Sequence, residues 1–317
     1  MQTASEIRQE ILEASLRAPS AHNAQPWRLS GIDEDSYLLW YAFADKLLAD
    51  PDDRDGLMAL GGFYETLCLA AESRGVGVAF APGVVHHADG ITLGTVTFGA
   101  LAGEPDPLAS AIATRQCNRH RYERTPLPPM LRAELEGLGN LLLAPGRVAS
   151  LVRRASILAW RDERFITDLQ TWTRFDDAAP DGMTLDCLNL DRFDTAALRL
   201  AFRLGKLPGW MGAAYAQHDV RLTRASSAMA VIVAADREPL TLFDCGRRLI
   251  RSWTLINSLG AAWHPMSIVI DQATVADLAE LIGGRDPVAL YRVGSTRDLA
   301  PWSHRRSLEA TLTSAPA

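Results

Sequence analysis

Arg17-Ala-Pro-Ser-Ala-His-Asn-Ala-Gln-Pro-Trp27 decides how the rest of this chain is read. Pro19 and Pro26 restrict the backbone near both ends of a short loop, which lowers the entropy lost when its shape is fixed. Between them Ser20, His22, Asn23 and Gln25 offer a hydroxyl, an imidazole and two carboxamides. Carboxamides both donate and accept, which suits a planar ring whose edge alternates C=O and N–H. On its residues alone the run reads equally as a polar turn between helix and strand or as a ligand loop.

The flanks place that run between a helix and a strand. Thr3-Ala-Ser-Glu6 reads as a capping box, and Ile7, Ile11, Ala14 and Ala18 follow a helical stripe that Pro19 ends. Residues 27–29 and 37–41 predict a strand pair. Asp52-Asp53 predicts the cap of a second helix running to Arg74, with Gly75 at its left-handed end. That helix is apolar nearly all round (Leu57, Leu60, Phe63, Leu67), so it should lie buried between layers. Residues 91–98 alternate like a strand, and His86-His87 reads as solvated loop.

Further along, the pattern repeats. Pro129-Met-Leu-Arg-Ala-Glu-Leu-Glu-Gly-Leu138, followed by Leu143-Ala-Pro145, echoes residues 5–12 followed by Arg17-Ala-Pro19. Gly246 and Gly260 bracket an apolar helix (Leu249, Ile250, Trp253, Ile256) as Gly61 and Gly75 bracket the first. Two unrelated amphipathic helices can also share such a spacing. If the halves are copies, the second carries an insertion at about 152–224. That stretch holds Trp160, Trp172, Trp210 and Met211 among Pro/Gly segments (Ala179-Pro-Asp-Gly182, Leu207-Pro-Gly209). Helices are expected over 157–169 and 195–204. The insertion reads either as helical decoration or as a lid over a site.

Composition sets the outer limits. Of 317 residues, 48% are hydrophobic and 22% charged, the balance of a globular protein with a sizeable core. A net charge of −6 argues against a nucleic-acid or anionic-membrane surface, while leaving room for a local basic site. The N-terminus is too polar for a signal sequence, and no apolar stretch could span a bilayer. Cys68, Cys117, Cys187 and Cys245 are scattered, and the seven histidines show no metal pattern. A reduced, cytoplasmic protein without a metal is expected. No G-x-G-x-x-G follows a strand, and Gly75-Val-Gly-Val-Ala79 lacks the third glycine, so no dedicated dinucleotide domain is expected.

The opening run resembles the A-P-S-x-x-N-x-Q-P-W loop of the FMN-dependent nitroreductase family, which there reaches across a dimer interface to the flavin. That family grips the FMN phosphate with an R-x-S-x-R motif, and Arg115-Gln-Cys-Asn-Arg119 is similar to it, with Cys117 in place of serine. Taken alone, these arginines read as a solvated helix end. Trp263-His-Pro-Met-Ser267 stands where the family places backbone contacts to the ring. Ser303-His-Arg-Arg-Ser-Leu308 resembles its closing basic motif, with Arg306 the better match and Arg305 its neighbour. Two such halves in one chain resemble the mycobacterial Acg group. The resemblance implies an α+β fold of two nitroreductase-like halves, 1–108 and 109–317. Each would be a mainly antiparallel sheet with helices, the two forming an internal pseudo-dimer. It implies one FMN, held by Pro19, Ser20, His22, Asn23, Gln25, Arg115, Cys117, Asn118, Arg119, Pro265, Met266, Ser267, Arg305 and Arg306. Two-electron chemistry at the flavin N5 on a small molecule would follow, with NADH or NADPH as a transient donor and no assigned protein acid or base. A rival expectation is an FMN storage protein. The assembly expected is a monomer or a homodimer of pseudo-dimers.

Overall fold

The computed structural model describes residues 3–205 and 209–316, so Leu207-Pro208 of the second Pro/Gly segment lies outside the described residues. Helix α1 (Ala4–Ser15) opens with the expected capping box: Glu6 N donates to Thr3 Oγ1 at 3.2 Å, and Thr3 N donates to the Glu6 carboxylate at 2.7 Å. Strands β1 (Trp27–Gly31) and β2 (Ser36–Ala42) form a hairpin with Trp27 opposite Tyr41. Helix α2 (Arg54–Glu72) is buried along most of its length, as its apolar circumference predicts, and Gly75 follows it at φ 72°. Strands β3 (Val76–His86) and β4 (Gly90–Ala100) complete an antiparallel sheet in the order β1-β2-β4-β3. The loop expected around His86 is therefore strand. Its Gly/Pro content is accommodated because β3 lies at the sheet edge, where proline costs no ladder bond and the register shifts between Pro82 and Val85.

The second half opens with α3 (Pro129–Gly137) and β5 (Leu141–Leu143). Then come α4 (Pro145–Ala159), α5 (Glu163–Trp172), a two-residue parallel pair β6 (Thr173–Arg174) and β7 (Met183–Thr184), α6 (Leu185–Leu188), α7 (Arg192–Leu204) and α8 (Gly209–Arg224). The helix expected across 157–169 is broken, because Asp162 caps α5 by accepting from Arg164 N. Strand β8 (Ala228–Ala234), helix α9 (Pro239–Ser258), β9 (Ala262–Pro265), α10 (Thr274–Leu281) and β10 (Asp286–Gly294) follow, with α11 (Leu308–Thr311) near the end. The second sheet runs β5-β8-β10-β9, again antiparallel. Counted within each half, both sheets have the order 1-2-4-3, with the long buried helix between the second and third strands. Where the first half makes a tight hairpin, the second inserts helices α4–α8. The echo that pairs Pro145 with Pro19 is not kept: Pro19 precedes the first strand of its half, whereas Pro145 follows β5 and starts α4.

The glycine pairing does hold. A Cβ on Gly61 would lie 1.8 Å from Phe243 O, and one on Gly246 would lie 2.0 Å from Met58 O. Each glycine thus admits the backbone of the other helix, three residues before its glycine, and α2 crosses α9 backbone to backbone. A single core cluster spans both helices and both sheets, and α4 buries Val148, Leu151, Val152 and Ala155 in a second cluster on the second sheet. The chain end returns to the first half, where Thr313 N donates to Leu29 O at 3.0 Å.

Since backbone atoms cannot be moved aside cheaply, Gly246→Ala should cost about 1–3 kcal/mol or more in denaturant unfolding. Gly137→Ala, with nothing within 4 Å of its added methyl, should change stability by no more than about 0.5 kcal/mol. Equal effects of the two would show that the helices do not meet at their backbones.

Candidate functional site

A cavity of about 410 Å³ opens where the crossed helices, the 19–27 loop, the second sheet and the inserted helices converge. Its size falls within the roughly 300–1,000 Å³ of small-molecule sites. Met58, Ala59 and Gly62 of α2 and Leu249, Ile250 and Trp253 of α9 line it, so the helix crossing forms one wall.

The loop enters this cavity in a strained shape. His22, Asn23 and Gln25 all take left-handed backbone angles (φ 52°, 54° and 53°), at a cost of about 1–3 kcal/mol each. Local bonds hold it: Gln25 N donates to Ser20 Oγ at 2.8 Å and Asn23 N to Ser20 O at 3.1 Å. At its end the fully buried Trp27 stacks on Phe63 of α2 with ring centroids 5.2 Å apart. Pro19, Ser20, His22 and Asn23 line the cavity.

Three arginines gather at the cavity without a carboxylate partner among the described residues. Arg17 donates to Ser303 O, Arg115 to Arg17 O, and Arg305 to Ala18 O, Ser303 Oγ and other neutral oxygens. Aromatic faces position two of them: Arg17 lies 4.5 Å from the centre of Trp302, and Arg115 4.2 Å from that of Trp253. Trp253 in turn stacks on Trp263 at 3.7 Å. Cation–π contact fixes a guanidinium without neutralising it. Burial, with the charges of Arg305 and Arg17, pushes Arg115 down to about 9, and burial with Arg17 pushes Arg305 down to about 9. A concave, partly buried cluster of guanidinium groups without carboxylate partners is a surface that favours an anion.

Other lining residues carry polar atoms buried without a partner: His22 Nδ1, Asn23 Oδ1, Arg115 Nε and Trp263 Nε1. Buried polar atoms in native proteins are almost always paired, so these mark places for ligand atoms. His264 is held well below the ordinary imidazole range by burial and by Arg292 and Arg119. Its Nδ1 accepts from Arg292 Nε at 2.9 Å, which places the proton of the neutral ring on Nε2.

Of the residues singled out from sequence, Pro19, Ser20, His22, Asn23, Arg115, Cys117, Arg119, Pro265, Met266, Ser267 and Arg305 line the cavity. Gln25, Asn118 and Arg306 do not. Gln25 is buried behind the loop, accepting from Arg306 N at 2.9 Å and donating to Pro180 O at 2.9 Å. Asn118 spends its carboxamide on Asp298 O and His120 N. Arg306 pairs with Asp45 at 3.0 Å and Asp181 at 2.7 Å, so its charge is neutralised and Arg305, not Arg306, faces the site. Arg119 lines the cavity but donates to Cys187 O of α6, on the inserted side. The insertion reaches the cavity through Phe165, Leu169, Gly182, Met183, Cys187, Leu188 and Asp219. Its tryptophans do not: Trp160 packs on Phe165 and Tyr215, Trp172 beside Ala24 and Leu47, and Trp210 is 74% exposed. Sequence reasoning missed Arg17, Trp253 and Trp302 as site residues, and placed Trp263 there only through its backbone. Arg17 stood at the head of the decisive run, and its signal was a charge placed directly before a rigid loop.

No family model matches the chain. Two Mycobacterium tuberculosis proteins, each named "Putative NAD(P)H nitroreductase", are 28% identical to it over 174 residues, which cover 51% of the chain and 50% of each relative. The chain spans about half the length of the curated relatives it matches. Among solved structures, the FMN-dependent nitroreductase NfnB of Mycobacterium smegmatis in complex with NADPH aligns with TM-score 0.41 and 14% identity, over 66% of this chain and 98% of that one. A "putative nitroreductase" of Anabaena variabilis aligns with TM-score 0.46 and 12% identity, over 92% of this chain and 74% of that one.

An anion that pairs with the cationic cluster should stabilise the fold by mass action. Inorganic phosphate is expected to raise the Tm at pH 8 and to lose that effect as the pH climbs past about 9, where Arg115 and Arg305 discharge. Arg115→Ala should abolish most of the gain, whereas Arg306→Ala should keep it. Scanning calorimetry decides; a gain that survives Arg115→Ala puts the anion elsewhere.

Proposed function

We propose that this relative of the nitroreductases is an FMN-dependent oxidoreductase that binds one flavin in the cavity and acts on a small molecule. The observation that carries the reading is the Arg17–Arg115–Arg305 cluster, partly buried and without a carboxylate among the described residues, opposite a loop held in a strained polar conformation. Arginine forks suit a terminal phosphate. Trp263 Nε1, Asn23 Oδ1 and His22 Nδ1 offer donors and acceptors to the edge of a heterocycle, and Ile250, Met58 and Met266 offer apolar surface to its faces. When bound, FMN supplies two-electron chemistry at N5, and the protein contributes position and electrostatics. Arg119 adds positive charge on the inserted side, where it favours an anionic ligand. NADH or NADPH would serve as a transient donor, consistent with the absence of a dinucleotide fingerprint in the sequence. Among the described residues no helix is long and apolar enough to cross a membrane, and we place the protein in the cytoplasm.

We read the inserted segment as a lid. Residues 180–183 are tied to the loop: Gly182 N donates to Asn23 O at 3.2 Å, Asn23 Nδ2 to Gly182 O at 3.0 Å, and Gln25 Nε2 to Pro180 O at 2.9 Å. Asp181 then bridges Arg174 at 2.8 Å and Arg306 at 2.7 Å. Such a closure would exclude water and limit what reaches the cofactor.

Flavin released by heat should count one per chain, and Arg115→Ala should weaken FMN roughly ten- to a hundredfold through a lost charge-assisted contact. A ratio near two, or none after FMN is supplied, overturns the single-site reading.

Asp181→Ala should loosen the latch, so that stopped-flow reduction by NADPH speeds up and FMN dissociates faster. Trp210→Ala, at an exposed position away from the cavity, should leave both rates unchanged. If Asp181→Ala alters neither rate, residues 180–183 do not gate the site.

A further inference from the structure

Arg292 of β10 and His264 of β9 stand directly opposite one another in the antiparallel ladder, so their side chains share one face of the second sheet. Arg292 is 0% exposed, and among the described residues its charge meets no carboxylate within ion-pair distance. Neutral groups hold it instead. Nη2 donates to His120 O at 2.8 Å, and the guanidinium carbon lies 3.9 Å from the centre of the Tyr122 ring. The Nε edge donates to His264 Nδ1 at 2.9 Å.

That last bond fixes what the imidazole can do. A guanidinium only donates, so Nδ1 must offer its lone pair and the ring hydrogen must sit on Nε2. A histidine that works as a base or a metal ligand commonly shows the reverse, with Nδ1–H bonded to an oxygen and Nε2 bare. A second proton on His264 could enter only at Nδ1, where it would break the bond and set two cations side by side. The other charged or titratable groups facing the ring are Arg119 of the 115–119 motif and His218 of α8, and with burial they too oppose protonation. One capability remains, donation from Nε2–H. His264 lines the cavity and is partly buried. Among the described residues no group accepts that hydrogen, and Nε2 is not one of the polar atoms sealed inside the wall.

We propose that His264 is a fixed hydrogen-bond donor that recognises a carbonyl or nitro oxygen of a molecule in the cavity, with Arg292 as the positioning residue that locks its tautomer. Which molecule brings that oxygen rests on the oxidoreductase reading above, since the flavin ring and electron acceptors of the quinone, enone and nitro classes all carry one. Such an oxygen has lone pairs and no hydrogen, so it matches a donor that cannot reverse its role. A ligand group that only donates would leave Nε2–H unpaired, at a cost of about 1–3 kcal/mol. Arg119 and Arg292 add positive charge that favours partial negative charge on the bound oxygen. Phosphate is left to the other arginines, because Arg17, Arg115 and Arg305 are joined through Arg17 O, Ala18 O and Ser303 O, a set of bonds separate from that of Arg292.

Nuclear magnetic resonance of the whole chain labelled with 15N-histidine tests the lock, and His264→Asn identifies the His264 signals by their loss. Nε2 should be protonated and Nδ1 bare, with shifts that stay flat from about pH 8 to about pH 5.5, below the ordinary imidazole value of about 6.5. A ring protonated at Nδ1, or one that titrates near its ordinary value, overturns the proposal. Arg292→Met should let the ring titrate, and a flat profile in that variant removes Arg292 from the lock; if the variant does not fold, the wild-type spectrum is sufficient. Recognition is read by adding oxidised FMN and then nitrobenzene, without NADPH so that nothing turns over. A downfield shift of the Nε2 hydrogen with FMN assigns the oxygen to the cofactor ring, and one that appears only with nitrobenzene assigns it to the acceptor. No shift with either, an equal shift with benzene, or a full shift with inorganic phosphate alone overturns recognition. His264→Phe keeps a ring and loses the donor, so it should weaken the responsible ligand roughly three- to tenfold and leave benzene unchanged. If the chain takes up no FMN, the oxidoreductase reading fails, and the comparison of nitrobenzene with benzene still tests the donor.

Discussion

The carbonyl of Phe243 occupies the space where a side chain at residue 61 would begin, and the rest of the molecule is arranged around that contact. Two helices that meet at their backbones cannot slide or separate to absorb a larger side chain, so the relative position of the two sheets they carry is fixed. Close packing of this kind transmits shape rather than damping it. The same helices present Met58, Ala59, Gly62, Ile250 and Trp253 to the cavity, so the steric contact that joins the halves also sets a wall of the site. A binding site built on such a wall is held to its geometry without any help from loops.

Against that rigid wall the protein accepts an electrostatic cost. Arg17, Arg115 and Arg305 repel one another in a partly buried place, and the depressed pKa of Arg115 and Arg305 means that the folded state disfavours their charged forms relative to the unfolded chain. The penalty is present at neutral pH and is relieved only as the pH rises through 9 and beyond. An anion relieves it at any lower pH, so the cluster is the part of the structure most incomplete on its own. Adjacent residues show how local the design is. Arg305 lies in the cavity with neutral partners, while Arg306 lies behind the loop between Asp45 and Asp181, where it joins the chain end to the insertion.

Much of this was legible from the residues. Capping boxes, glycine pairs and an all-apolar helix are local signals with one dominant physical cause, and α1, α2 and α9 follow from them. The 19–27 loop was legible as a polar, proline-bounded run, though not its left-handed residues, because His22, Asn23 and Gln25 adopt those angles only under tertiary constraint. Strand β3 was hidden by Pro82 and Gly83, which an edge position tolerates and a central one would not. Arginine order could not be read at all. Whether Arg305 or Arg306 faces the cavity depends on where Asp45 and Asp181 sit, and those carboxylates come from distant parts of the chain. The tryptophans of the insertion were uninformative for the converse reason: a large aromatic side chain signals burial or contact without saying against what.

The two halves share a strand order but not a site, and the difference lies in their connections. From α1 to β1 the chain travels through residues 16–26, long enough to form the loop that enters the cavity. From α3 to β5 it has only residues 138–140, and Asn140 there is buried and bonded to Ser252 and Tyr291. No equivalent loop can form there, so the crossed helices receive such a loop from one side. The length missing from that connection appears one strand later, between β5 and β8, as helices that line one side of the cavity and bring Asp219 to it. One half therefore contributes the loop, the other contributes the helical wall opposite it, and each departs from the shared pattern at the place where the other does not. The helix crossing holds those two departures on the same side of the molecule.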